Sequence, residues 1–117
     1  MNTKGTHLIA DIWLNNNAPF TALKNIMVEC LSRFGQITVG YNQWDFYPQG
    51  NSAIFLLTTS HATIHTYPEE NYITIDVYSC DAKFDADAFF EMFCKEIDWV
   101  TLKKQILTRG VKDNLSS

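Results

Sequence analysis

Residues 61–80, HATIHTYPEENYITIDVYSC, constrain the chain more than any other stretch. Two runs of alternating polar and apolar residues are separated by Pro-Glu-Glu-Asn at 68–71. On an extended strand successive side chains point to opposite faces. Ala62 and Ile64 therefore share one face, with His61, Thr63, His65 and Tyr67 on the other. In the second run Ile73, Ile75 and Val77 lie opposite Tyr72, Thr74, Asp76, Tyr78 and Cys80. This is the pattern of an antiparallel ribbon with one face in a core, and it needs a second layer to cover that face. A four-residue turn at 68–71 sets the register: Tyr67 faces Tyr72, His65 faces Thr74, and Cys80 falls opposite Thr59.

The rest of the chain supplies the second layer. Leu23, Ile26, Met27, Cys30, Leu31 and Phe34 recur at helical spacing after Pro19, and Gly35 stands where a helix C-cap belongs, so a helix is expected over 19–34. A second helix is expected from Asp85 as N-cap, with Ala88, Phe89, Met92, Phe93 and Ile97 inward. Further strands are read at 6–14, 36–43, 53–57 and 100–107, with a turn at 48–51 and a polar tail at 112–117. The order β-α-β-β-β-β-α-β predicts an α+β two-layer sandwich, an antiparallel β-sheet with two helices packed on one face. At 117 residues, 1–117 is expected to form a single domain.

Charge narrows the partners. Thirteen acidic residues against nine basic ones give a net charge of -4, which excludes a nucleic-acid backbone as main partner and suits a cationic small molecule. Three cysteines at irregular spacing, Cys30, Cys80 and Cys94, are not a disulfide framework. No apolar run approaches the ~20 residues that span a bilayer, so no membrane partner is expected. With no long apolar stretch in MNTKGTHLIAD, a cytoplasmic protein is expected. His61 and His65 are four apart on a strand rather than a helix, so no metal site is expected.

The ribbon also collects reactive groups. The register lays Cys80 beside the Thr59–Ser60 bond. His65 lies five extended residues from Ser60, roughly 16 Å away at strand rise. A histidine at that distance acts on Ser60 only if the chain bends or a second, two-fold-related subunit supplies it.

The stretch FYPQGNSAIFLLTTSHATIHTYPEENYITIDVYSC resembles the small prokaryotic S-adenosylmethionine decarboxylases, pyruvoyl-dependent enzymes made as self-cleaving proenzymes. GTHLIADIW looks like the opening strand of that family, and Ser-His-x-x-Ile-His-Thr-aromatic-Pro-Glu is the specific part. The resemblance implies that Ser60 attacks the Thr59 carbonyl, cuts the chain into residues 1–59 and 60–117, and leaves a covalent pyruvoyl group derived from Ser60. Such a ketone forms a Schiff base with the substrate amine and acts as electron sink for decarboxylation. The resemblance further implies that His65 assists the elimination, Ser52 holds the oxygens of the intermediate, and Cys80 returns a proton to the substrate. A thiol at its ordinary pKa of about 8.5 is mostly protonated at neutral pH and suits that task. Phe46 and Tyr67 would flank the adenine and Glu69 would bind the ribose. The implied assembly is a homodimer with active sites shared across the interface, Ser52 and His65 coming from the neighbour. The implied product is decarboxylated S-adenosylmethionine, the aminopropyl donor of polyamine (spermidine) biosynthesis.

Departures from the family pattern are local. Thr59 stands where the family usually has Glu, Tyr67 where it has Trp, Trp44 where it has His, and Ala53 where it has Gly. Three of these touch the substrate pocket. They leave open ornithine or arginine as substrate, with Asp45, Glu70 or Asp76 for the distal cation, and Thr59 leaves open a non-processing regulatory homologue.

Overall fold

The structure, a computed structural model, describes residues 3–112. Six strands and two α-helices follow in the expected order: β1 (Gly5–Leu14), α1 (Phe20–Arg33), β2 (Thr38–Asp45), β3 (Asn51–Leu57), β4 (Ser60–Tyr67), β5 (Tyr72–Ser79), α2 (Ala86–Lys95) and β6 (Trp99–Arg109). The strands form one antiparallel sheet in the order β2-β3-β4-β5-β1-β6. Both helices cover one face, so the α+β two-layer reading holds. Among the described residues no helix is long and apolar enough to cross a membrane. The polar tail expected at 112–117 lies outside the described residues except for its first position.

Alternation explains the layers. Leu8, Ile12, Phe55, Ala62, Ile64, Ile73, Ile75 and Val77 are buried under the helices. Leu23, Met27, Cys30 and Leu31 of α1 and Phe89, Phe90, Phe93 and Cys94 of α2 meet them. Burying each large apolar side chain contributes roughly 1.5–3 kcal/mol, so this face dominates the stability of the fold. Asp85 caps α2 as expected, accepting a hydrogen bond from the Ala88 N–H at 3.0 Å. The buried stripe of α2 runs through Phe90 and Cys94 rather than through Ala88, Met92 and Ile97, which are only half-buried. Burial lifts the thiols of Cys30 and Cys94 to about 11.

Several strand and helix ends shift by one or two residues from expectation. Pro19 is the N-cap of α1 rather than its first helical residue. The second strand starts at Thr38, not at Gln36. The reason is the end of α1. Gly35 takes φ +79, the Gln36 N–H donates to the Leu31 carbonyl at 2.9 Å, and the Gly35 N–H to Ser32 at 3.0 Å. This paired closure turns the chain back on the helix and spends two residues before a strand can begin. Gln36 is thereby directed inward and is fully buried.

Candidate active site

The ribbon has the expected register. Tyr67 pairs with Tyr72, His65 with Thr74, and Ser60 with Ser79. One step further, Cys80 meets Thr59. The Cys80 thiol donates to the Thr59 carbonyl oxygen at 2.8 Å, and the Cys80 backbone N–H approaches the same oxygen at 3.4 Å. Two donors on one carbonyl draw electron density from its carbon and stand where an oxyanion would form on attack.

The loop carrying that carbonyl is held tightly. The Thr58 N–H donates to the Ile37 carbonyl at 3.0 Å. The Thr59 hydroxyl donates to the side-chain oxygen of Gln36. Ser79 Oγ donates to the same oxygen at 2.8 Å, and Ser79 is itself fully buried. The Gln36 amide nitrogen donates to the Phe34 carbonyl at 3.2 Å and to Asp81 Oδ2 at 3.1 Å. Sequence reading missed Gln36 and Ser79. A Gln inside an alternating run reads as a strand residue, and only the inward turn at Gly35 reveals it.

A second cluster sits at the far end of β4. Ser52 pairs with His65 across β3 and β4, and Ser52 Oγ lies 2.8 Å from His65 Nδ1. With Nδ1 engaged, Nε2 is the ring nitrogen placed to exchange a proton with a reacting group. Phe46, Ser52, His65, Tyr67 and Glu69 line one cavity of about 230 Å³. Glu69 is the one carboxylate among its lining residues. Gly50, with φ +102, closes the loop below it: the Phe46 N–H donates to the Gly50 carbonyl at 2.8 Å, and a Cβ at Gly50 would sit 3.3 Å from the Thr66 carbonyl oxygen. Tyr67 stacks on Tyr72 at 5.3 Å between ring centres, and Tyr72 on Trp13 at 4.8 Å. Burial, and a hydrogen bond donated to Asp11 at 2.7 Å, push the Tyr72 hydroxyl up to about 12, so this brace stays neutral.

The acids considered for a distal cation stand elsewhere. Asp76 pairs with His7. Asp45 accepts amide hydrogen bonds from Gln43 at 2.6 Å and Asn51 at 2.8 Å, which hold its carboxyl below the usual range. Glu70 lies in the 3-10 turn between β4 and β5. His61 packs on Tyr78 at 5.7 Å between ring centres. Among the described residues no group of three His, Cys, Asp or Glu is placed to hold a metal ion.

One chain therefore carries two partial sites that it does not join. β4 is continuous from Ser60 to Tyr67, so Ser60 and His65 remain roughly 16 Å apart. They also fall on opposite faces: Ser60 has the parity of buried Ala62 and Ile64, His65 that of the open face.

The sequence pattern describing the family "S-adenosylmethionine decarboxylase" matches residues 6–110. The chain is 32% identical over 116 residues to an S-adenosylmethionine decarboxylase proenzyme of Shouchella clausii, covering 95% of this chain and 88% of that protein. It is 29% identical over 109 residues to one of Thermoplasma volcanium, covering 91% and 84%. The crystal structure of the adenosylmethionine decarboxylase from Aquifex aeolicus superimposes with a TM-score of 0.80 at 24% identity, over 95% of this chain and 94% of the other. That likeness establishes the shared fold.

Proposed function

The chain belongs to the S-adenosylmethionine decarboxylase family, and from that premise we propose that it cuts itself between Thr59 and Ser60 and then decarboxylates S-adenosylmethionine, giving the aminopropyl donor for polyamine synthesis. The observation that carries the reading is the Cys80 thiol 2.8 Å from the carbonyl oxygen that precedes Ser60.

Ser60 Oγ lies one residue from the Thr59 carbonyl carbon, so its attack closes a five-membered ring. The C–O bond forms, the C–N bond breaks, and the hydroxyl proton passes to the Ser60 nitrogen, leaving an ester. The thiol and N–H of Cys80 hold the oxyanion of the tetrahedral stage. His65, oriented by Ser52, then serves the elimination: the Ser60 α-proton is removed, the Cβ–O bond breaks, and Thr59 leaves as a carboxylate. The enamine left at residue 60 tautomerises, and water replaces its nitrogen as ammonia to give the pyruvoyl group. Ser60 beside a doubly hydrogen-bonded carbonyl and a thiol fits the origin of such a group.

When formed, that ketone supplies the electron sink for the carbanion left by loss of carbon dioxide. Cys80 remains beside it with a proton to return. Phe46 and Tyr67 offer exposed rings to an adenine, and Glu69 offers a carboxylate to ribose hydroxyls.

The roughly 16 Å between Ser60 and His65 on one strand supports giving Ser52 and His65 to a neighbour's reaction. A two-fold axis that sets one chain's scission end on the other's cavity end crosses β4 between Ala62 and Thr63. Thr63 pairs with Ile54, which with Leu56 is exposed on the open face of the sheet. Two apolar side chains at that place suit burial in a homodimer.

Denaturing electrophoresis with intact mass tests the cleavage. The purified chain is expected as fragments 1–59 and 60–117, and Ser60→Ala as one piece of 13.4 kDa. Cleavage of Ser60→Ala at that bond would remove the assignment. Carbon dioxide release from S-adenosylmethionine, ornithine and arginine, assayed side by side, tests the substrate; release only from ornithine or arginine would overturn that part.

A further inference from the structure

The Thr59 carbonyl takes its hydrogen bonds from Cys80, but its residue is anchored from behind by a different group. We propose that Gln36 is a positioning residue for chain scission: its buried amide grips the Thr59 hydroxyl and so aims the scissile carbonyl at the Cys80 thiol and N–H. The inference rests on the self-cleavage reading and adds to it a residue outside the ribbon.

Four observations carry it. Gln36 is fully buried, and all four hydrogen-bonding positions of its amide are used. Its nitrogen is tied to Phe34 and Asp81, which fixes the amide plane and leaves the oxygen aimed at the hairpin. That oxygen receives both Thr59 Oγ1 and Ser79 Oγ, which lie 3.4 Å apart. Ser79 is the β-ladder partner of Ser60, so the residues on both sides of the scissile bond are referred to one amide.

The physical consequence is specific. A polar side chain in the turn that follows a helix, here three residues after Arg33, is readily solvated. Burying an amide there costs more than burying an apolar residue unless every polar atom is matched. Here each is matched, and one of the matches is the threonine whose carbonyl must be attacked. A hairpin residue held through both its side chain and its carbonyl cannot rotate its peptide plane away from Cys80. Attack on a carbonyl is sensitive to such alignment, since a misplacement of about 1 Å can cost on the order of a hundredfold in rate.

Thr59→Val keeps the branched shape and removes the hydroxyl; Thr59→Ser keeps the hydroxyl and removes the branch. Gln36→Met fills similar space without the hydrogen bonds. Scission is followed by intact mass after rapid purification, with the melting temperature of each uncleaved chain measured in a Ser60→Ala background. Thr59→Val is expected to slow scission about tenfold, and Thr59→Ser to restore it. In the double variant, Gln36→Met with Thr59→Val, scission should be no slower than in Gln36→Met alone, because the glutamine acts through that hydroxyl.

Hydroxylamine locates the block. It cleaves esters, so it should release fragments from a His65→Ala chain stalled after the acyl shift and add nothing in Thr59→Val, stalled before it. Thr59→Val cleaving at the parent rate, or Thr59→Ser as slow as Thr59→Val, overturns the inference, and this pair decides it even if Gln36→Met does not fold. Additive losses in the double variant overturn the route through Thr59. A parent chain that stays whole overturns the inference together with the self-cleavage reading beneath it.

Discussion

The two ends of β4 are built in opposite ways. At the start, Ser60 follows a carbonyl whose surroundings are saturated: Gln36 and Ser79 are fully buried, and Thr59 is held at both its side chain and its oxygen. At the other end, Ser52 and His65 hold each other, but Phe46 and Tyr67 leave about half of their surface to solvent, at 52% and 43% exposed. At the first end the chain itself supplies every group that holds the scissile carbonyl in place. The second has its parts in place on an open surface, an arrangement that suits the proposed ligand and a neighbour's reacting bond. The difference teaches that preorganisation is concentrated where a covalent rearrangement needs no ligand, and openness where binding must come first.

The sharpest way to break this comparison is to stop the ends of two chains from meeting. Ile54→Arg places a charge on the open face beside Thr63 and leaves every residue assigned to chemistry unchanged in sequence. Burying an unpaired charge in a dimer costs several kcal/mol, so dimer formation and self-cleavage should fall together by about a hundredfold or more. Sedimentation and a cleavage time course check it. Wild-type cleavage by a monomeric variant would show that one chain suffices.

Cys80→Ala separates what the scission end does before and after cutting. The backbone N–H still reaches the Thr59 oxygen, so scission should slow by about tenfold, the scale of one hydrogen bond. Decarboxylation, which in the proposed mechanism loses its proton donor, should fall by about a hundredfold or more. Equal turnover would remove the thiol from that role. Tyr67→Ala acts on the other end alone. It should raise KM for S-adenosylmethionine about tenfold through lost stacking and leave cleavage at the parent rate; slowed cleavage would mean the two ends are not separable.

How far the sequence foretold these ends depends on what holds each one. The hairpin register was legible because alternation and a Pro-initiated turn leave one pairing that buries Ile64 and Ile75 together, and Cys80 beside Thr59 followed by counting. The pairing of Ser52 with His65 was not read from the β3 pattern, because the bend at 58–59 sets the β3–β4 register and carries no turn signature. Gln36 was read as a strand residue because the run QITVG alternates acceptably from its first position. Its inward turn comes from the positive φ of Gly35, and its burial from partners 23, 43 and 45 residues away. On α2, Phe90 was missed because Phe89, Met92 and Phe93 already made a plausible stripe, and the stripe that packs is rotated toward Phe90 and Cys94.

The smallest expected effect contrasts the exposed cysteine with the buried pair. Cys30 and Cys94 keep their protons up to about 11 in the fold, whereas unfolded thiols ionise near their reference of about 8.5. Their folded pKa values are raised, so their contribution is complete below the unfolded value and is lost as pH climbs through the folded one. The melting temperature should therefore decline between about pH 8.5 and 11. At pH 8 an alkylating reagent should modify Cys80 while leaving Cys30 and Cys94 intact by mass. Rapid modification of either buried thiol in the native protein would contradict this.

The claim that two incomplete ends are joined across a two-fold is tested most directly by mixing. A Ser60→Ala chain retains Ser52 and His65 but has no nucleophile, and a His65→Ala chain retains Ser60 but has no histidine to lend. Each should stay whole when purified alone. When the two are refolded together with distinguishable masses, the account predicts that the His65→Ala chain, and only that chain, is cut between Thr59 and Ser60. If the mixed sample shows both chains whole at every time point, the two ends do not serve each other across an interface.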